Sequence, residues 1–139
     1  MGDDFIKREI QLKAQTENLD ELLGILREDL TAVACPFDKL TVLEICAEEI
    51  FVNIASYAYG ENVGEAFISE EISEGSITLC FRDRGIPYNP LEKEDPDITL
   101  SAQERQIGGL GIYMVKTMMD SAEYEYKDGC NCLTVTMNW

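Results

Sequence analysis

The sequence predicts an α+β fold: a two-layer sandwich in which one mixed, mostly antiparallel sheet carries its helices on a single face. Three observations predict it. Residues 76–82 and 132–138 alternate apolar and polar side chains, and each lies beside a second strand-like run across a short glycine-bearing turn, so both read as hairpins. Other stretches repeat apolar residues every three or four positions, the period of a helix with one buried face. The order is strand, helix, helix, hairpin, loop, helix, hairpin, which stacks the helices on one side of a single sheet. With 139 residues, 45% of them hydrophobic, the chain is expected to form one domain, 1–139, with a real core.

The elements follow in order. Residues 5–13 alternate loosely, Ile6, Ile10 and Leu12 against charged neighbours, and read as an edge strand. Asn18 and Glu21 have capping-box spacing, and Leu19, Leu22, Leu23, Leu26, Leu30 and Val33 then repeat with helical period. Pro36 ends that region, and Asp38 is the expected N-cap of a second helix reaching Ala58 before Gly60 stops it. Its buried stripe is Leu40, Leu43, Ala47, Ile50, Phe51 and Ile54. Strands at 66–72 and 76–82 turn over Glu74-Gly75. Residues 91–107 lack periodicity and carry Glu92, Glu94, Asp95 and Asp97, as a functional loop or lid does. A short apolar helix over 110–119 precedes the last hairpin, which turns over Lys127-Asp128-Gly129.

Composition narrows the function classes. Twenty-seven acids against 11 bases give a net charge of −16, which repels nucleic-acid phosphates and suits a protein partner with basic surface. No apolar run is long enough to span a membrane, and the first residues lack the apolar stretch of a secretory signal, so a cytoplasmic location is expected. Five cysteines at irregular spacing, with no C-x-x-C and no histidine anywhere, read as free, packed thiols rather than a metal site.

Three segments carry chemistry. Gly108, Gly109 and Gly111 lead into a helix, and a glycine-rich turn feeding a helix N-terminus is where an anion such as phosphate is at home. Glu49 and Asn53, four apart on a helix, project from one face, where a carboxylate and an amide can serve a metal-bound phosphate and its attacking group. Asp83 ends a strand immediately before Arg84-Gly85-Ile86-Pro87, a fixed carboxylate beside a backbone turn that accepts a bond from a donor such as the adenine amine. Arg105, three residues before the glycines, lies within reach of a phosphate or serves as a surface cation.

Taken together, Glu49-x-x-x-Asn53, Asp83-x-Gly85-x-Pro87 and Gly109-Leu110-Gly111 resemble the three conserved boxes of the GHKL (histidine kinase-like) ATPases, in the family's order. More narrowly, residues 83–90, 108–120 and 133–136 resemble the anti-sigma-factor serine/threonine kinases of bacterial stress and sporulation switches. The resemblance implies the Bergerat ATPase fold, ATP and Mg²⁺ as cofactors, a protein antagonist as phosphoryl acceptor, a sigma factor as sequestered partner, and a homodimer. It implies Glu49 as general base and Asn53 as Mg²⁺ ligand, with Asp83 reading adenine, supported by Thr134. Gly85 and Pro87 would shape the adenine pocket, while Gly108, Gly109 and Gly111 hold phosphates and Arg105 meets charge on the γ-phosphate. Two alternatives stand beside it: a nucleotide-gated binding module with little catalysis, and the ATPase half of a sensor histidine kinase. The missing histidines count against the second of these.

Overall fold

Strict alternation becomes strand wherever one face can be buried, and the sheet of this protein is built that way. The computed structural model describes residues 5–92 and 109–139. Its strands are β1 (Ile6–Lys13), β2 (Glu65–Ser73), β3 (Ser76–Asp83), β4 (Ser121–Lys127) and β5 (Cys130–Asn138), in the order β1-β2-β3-β5-β4. Every pairing among the described residues is antiparallel. On β3 the inward row is Ile77, Leu79, Phe81 and Asp83; on β5 it is Asn131, Leu133, Val135 and Met137. The opposite face carries Thr78, Cys80 and Arg82 on β3 and Cys132, Thr134 and Thr136 on β5, all only partly buried.

Three helices cover the inward face: α1 (Leu19–Ala32), α2 (Phe37–Asn53) and α3 (Gly109–Met118), with α1 packed on α2 and α2 on α3. The predicted stripes are the ones buried. Leu22, Leu26 and Leu30 of α1 and Leu40, Leu43, Ala47, Ile50 and Phe51 of α2 join Ile68, Ile77, Leu79 and Phe81 in one core. Burying each such side chain is worth about 1.5–3 kcal/mol, so this face decides which side of the sheet is closed. Among the described residues no helix is long and apolar enough to cross a membrane.

Two details differ from the sequence-based expectations. Asn18 forms no side-chain cap; its amide donates to the Lys13 carbonyl instead (2.9 Å), tying β1 to the start of α1. Asp38 lies inside the first turn of α2, whose N-cap position is Pro36, so it acts on the helix dipole rather than as a cap. The second helix does run to Ala58, but its last turn, Ile54–Ala58, is a π-helix. Gly60 then leaves with φ +62°, the left-handed conformation of a helix terminator. Both hairpins turn where expected. The second one places Asp128 and Gly129 at φ +55° and +78°, the paired positive angles of a two-residue turn that matches strand twist.

Candidate functional site

The end of α2, the end of β3 and the start of β5 meet around a cavity of about 430 Å³. That is the size of a small-molecule site, large enough for a nucleobase and sugar. Its walls are mostly apolar: Ile50 and Ile54 from α2 and its π turn, Phe81 and Leu133 from the sheet, Ile112 from α3. The mouth is rimmed by Tyr57, Ile86 and Tyr88, exposed by 70%, 64% and 54%, flat or branched surfaces suited to a planar ring. Polar groups are few, and each has a place.

Asp83 is the floor. As the last inward residue of β3 it is only 5% exposed. Its Oδ1 accepts two hydrogen bonds, from the Gly85 backbone N–H and from Asn131 Nδ2, both 2.9 Å. Its Oδ2 has no hydrogen-bond partner among the described residues, and the side chain lines the cavity. The loop after Asp83 is held tightly. Ile86 N–H donates to the Ala58 carbonyl at 2.8 Å, so the π turn and the loop are stitched together. A Cβ on Gly85 would lie 2.1 Å from that same Ala58 oxygen, so only glycine permits the approach. The Tyr59 hydroxyl accepts from Arg84 N–H (2.9 Å) and donates to the Glu65 carbonyl, and the Arg84 guanidinium stacks 5.1 Å from the Phe67 ring centroid. Pro87 also lines the cavity.

Asn53 lines the same cavity. One turn below it on α2, Glu49 accepts a hydrogen bond from Asn53 Nδ2 at its Oε2 (3.1 Å), so the i, i+4 pair exists as a bonded unit. That bond leaves Asn53 Oδ1 as the amide's available acceptor toward the cavity. Gly109 opens α3, and Gly111 in the same turn lies directly against Glu49: a Cβ there would be 2.3 Å from Glu49 Oε1. Arg105 and Gly108 lie outside the described residues.

Thr134 is not at this site. It pairs with Cys80 on the outward face of the sheet, while the inward residue of β5 opposite Asp83 is Asn131. The physical reason is strand parity: 131, 133, 135 and 137 face inward, so 134 cannot. Asn131, Tyr124 and Tyr88 are the site residues the sequence reading missed. The alternation around Leu133, Val135 and Met137 was the signal that points to the first of them. Tyr124 donates its hydroxyl to Asn131 Oδ1, and burial pushes the phenol above its ordinary pKa, so it stays a neutral donor at physiological pH.

Residues 12–137 match the model of the histidine kinase-like ATPase domain. The chain belongs to that family. Among curated histidine kinase-like relatives, it is similar to the serine-protein kinases RsbW of Bacillus thuringiensis (strain Al Hakam) and Bacillus cereus (strain AH820). Each is 28% identical over 141 residues, covering 96% of this chain and 86% of the relative. Among solved structures, it resembles the crystal structure of the RsbU and RsbW domains of a Mycobacterium tuberculosis protein. The TM-score is 0.68 at 16% identity, over 96% of this chain and 32% of the larger one, so this chain spans about a third of that protein. That likeness supports the fold.

Proposed function

We propose that this histidine kinase-like ATPase domain is a protein serine/threonine kinase of the anti-sigma-factor type, which phosphorylates an antagonist protein and sequesters a regulatory partner. The observation that carries the reading is the open acceptor of Asp83, in a mostly apolar cavity that Asn53, bonded to Glu49, also lines. An open carboxylate oxygen recognises an exocyclic amine, and a cavity of about 430 Å³ has room for a nucleobase and sugar.

The residues fit ATP and Mg²⁺. Asp83 Oδ2 would accept from the adenine amine, and Gly85 and Pro87 shape the slot around the ring. Asn53 Oδ1 would ligate Mg²⁺, a hard cation that takes few protein oxygens and completes its shell with phosphate and water. Bound ATP supplies the phosphoryl group for transfer. Gly109 and Gly111, with Gly108, would lie along the phosphates at the N-terminus of α3. Arg105 would meet charge on the γ-phosphate. Glu49, held by Asn53, would accept the proton of a serine or threonine hydroxyl presented by the partner. Transfer of this kind depends on positioning and charge neutralisation more than on covalent help. The relatives named serine-protein kinase support the acceptor class. The partners of this reading are proteins, a sigma factor, an anti-sigma antagonist and a second copy of this chain, in the cytoplasm.

The test is label transfer from γ-labelled ATP with Mg²⁺ to candidate antagonist domains carrying a serine. The wild type labels its partner, and Glu49→Ala lowers transfer by at least about 10²-fold while ATP still binds. ATP binding with no transfer to any partner would convert the reading to a nucleotide-gated binding module.

A further inference from the structure

Asn131 is 7% exposed and uses its whole hydrogen-bonding capacity. Its Nδ2 donates to Asp83 Oδ1 (2.9 Å) and to the Ile86 carbonyl (3.0 Å), and its Oδ1 accepts from Tyr88 N–H (3.0 Å) and from the Tyr124 hydroxyl. Two of these partners have fixed chemistry. A backbone N–H can only donate and a carbonyl can only accept, so the amide cannot be turned round. The side chain therefore binds Asp83, both ends of the Ile86–Tyr88 turn and β4 through one group.

We infer that Asn131 is the positioning residue that sets nucleobase selectivity, by occupying one oxygen of Asp83 and leaving the other, among the described residues, as the open acceptor of that carboxylate toward the base. This rests on reading the cavity as an adenine site and names the device behind it. Both donors of Asn131 are consumed, so the amide has no N–H to offer a 6-keto purine. The Gly85 N–H is likewise spent on Asp83. A base with an exocyclic amine finds an acceptor, whereas a base with a carbonyl there meets a carboxylate oxygen and no donor. The preference follows from bonds that never touch the ligand.

Replacing the amide with a carboxyl makes this testable. In Asn131→Asp the introduced group sits against Asp83 with no N–H, and the two acids must share a proton to keep the same geometry. The other titratable groups facing this point are Tyr124 on β4 and Tyr59 from the segment after α2. Burial pushes both phenols above their ordinary pKa, so neither titrates between pH 5.5 and 8.5. Tyr126 lies opposite Asn131 on β4.

ATP and ITP affinities are measured by calorimetry from pH 5.5 to 8.5, after a thermal melt of each variant. ITP carries a carbonyl where ATP carries the amine. The wild type should prefer ATP by at least about 10²-fold. Relative to the wild type at each pH, Asn131→Asp should bind ATP well at the acid end. Above the pKa of the shared proton it should weaken by up to about tenfold per pH unit. Asn131→Thr and Asn131→Val, matched in shape, provide a second arm: the hydroxyl keeps a donor on Asp83 and should retain the preference, while valine should lose about tenfold or more of it. A pH profile for Asn131→Asp parallel to the wild type, or equal selectivity in the Thr and Val variants, overturns the inference and leaves the adenine site standing. A wild type that binds ATP and ITP alike overturns the adenine site itself. If Asn131→Asp fails its melt, the Thr and Val pair decides.

Discussion

Asp83 and Glu70 stand on the same helix-covered face of two neighbouring strands, and both are almost completely buried, at 5% and 2% exposure. Their surroundings are opposite. Asp83 has two donors fixed on one oxygen and a cavity in front of the other. Glu70 lies near the other end of the sheet with neither side-chain oxygen hydrogen-bonded. The cation beside it, Arg8, is committed elsewhere: its Nε and Nη2 form a two-pronged bond to Asp29 of α1, both arms 2.8 Å, and Nε is 3.5 Å from Glu70 Oε1. Burial, and then the Asp29 carboxylate next to it, push Glu70 up to about 8, so it is neutral at physiological pH. Burial also opposes ionisation of Asp29, but the two-pronged bond from Arg8 and its positive charge outweigh it and hold Asp29 below the usual carboxylate range. A buried acid is kept charged by donors and made neutral by their absence. In this molecule the donor-rich arrangement faces the cavity.

Three substitutions sharpen or break that contrast. The largest effect belongs to Asp83→Ala. Removing the floor acceptor should cost ATP about 10²-fold in affinity, read by calorimetry, with a cooperative melt preserved; unchanged affinity would refute the adenine role. Gly85→Ala comes next. Its methyl would meet a backbone oxygen that has no freedom to swing away, so the loop must move off the π turn. A stability loss of about 1–3 kcal/mol is expected in urea unfolding, together with weaker nucleotide binding. A fully stable variant would mean that the loop is not held where it is described.

The smallest effect is at Glu70, and its sign is fixed by linkage. The folded pKa of about 8 lies above the ordinary carboxylate value, so the unfolded chain releases this proton first. Stability from this group is fully present at low pH, declines as pH rises from about 4.5 toward 8, and is flat beyond. Glu70→Gln keeps the shape without the proton. It should remove that slope and gain about 1–3 kcal/mol at pH 8, measured by thermal melts across pH. A slope that survives the substitution would place its origin elsewhere.

Much of this was readable from residue order. The stripes of α1 and α2, the inward row of β3 and both turns follow from periods of 3.6 and 2, because burial on one face is a local demand. Glu49 and Asn53 were legible for the same reason, since a four-residue step on a helix puts two side chains on one face. Partnerships across strands were not. Thr134 was assigned to Asp83 from a resemblance of motif, whereas pairing register and parity put Asn131 there instead. The same parity places Glu70 between Ile68 and Ile72 on β2, a polar residue in an apolar row that composition alone passes over. Asn18 had capping-box spacing but is bonded to Lys13, because the chain returning from β1 offers it a nearer acceptor.

The contact between Gly111 and Glu49 carries one more consequence. The first turn of α3 rests on the very carboxylate assigned to proton removal, with no side chain between them as padding. Whatever tilts or slides that helix also tilts the acid beneath it. On the proposed reading, the turn that would seat the triphosphate and the acid that would take the proton share that one packing contact.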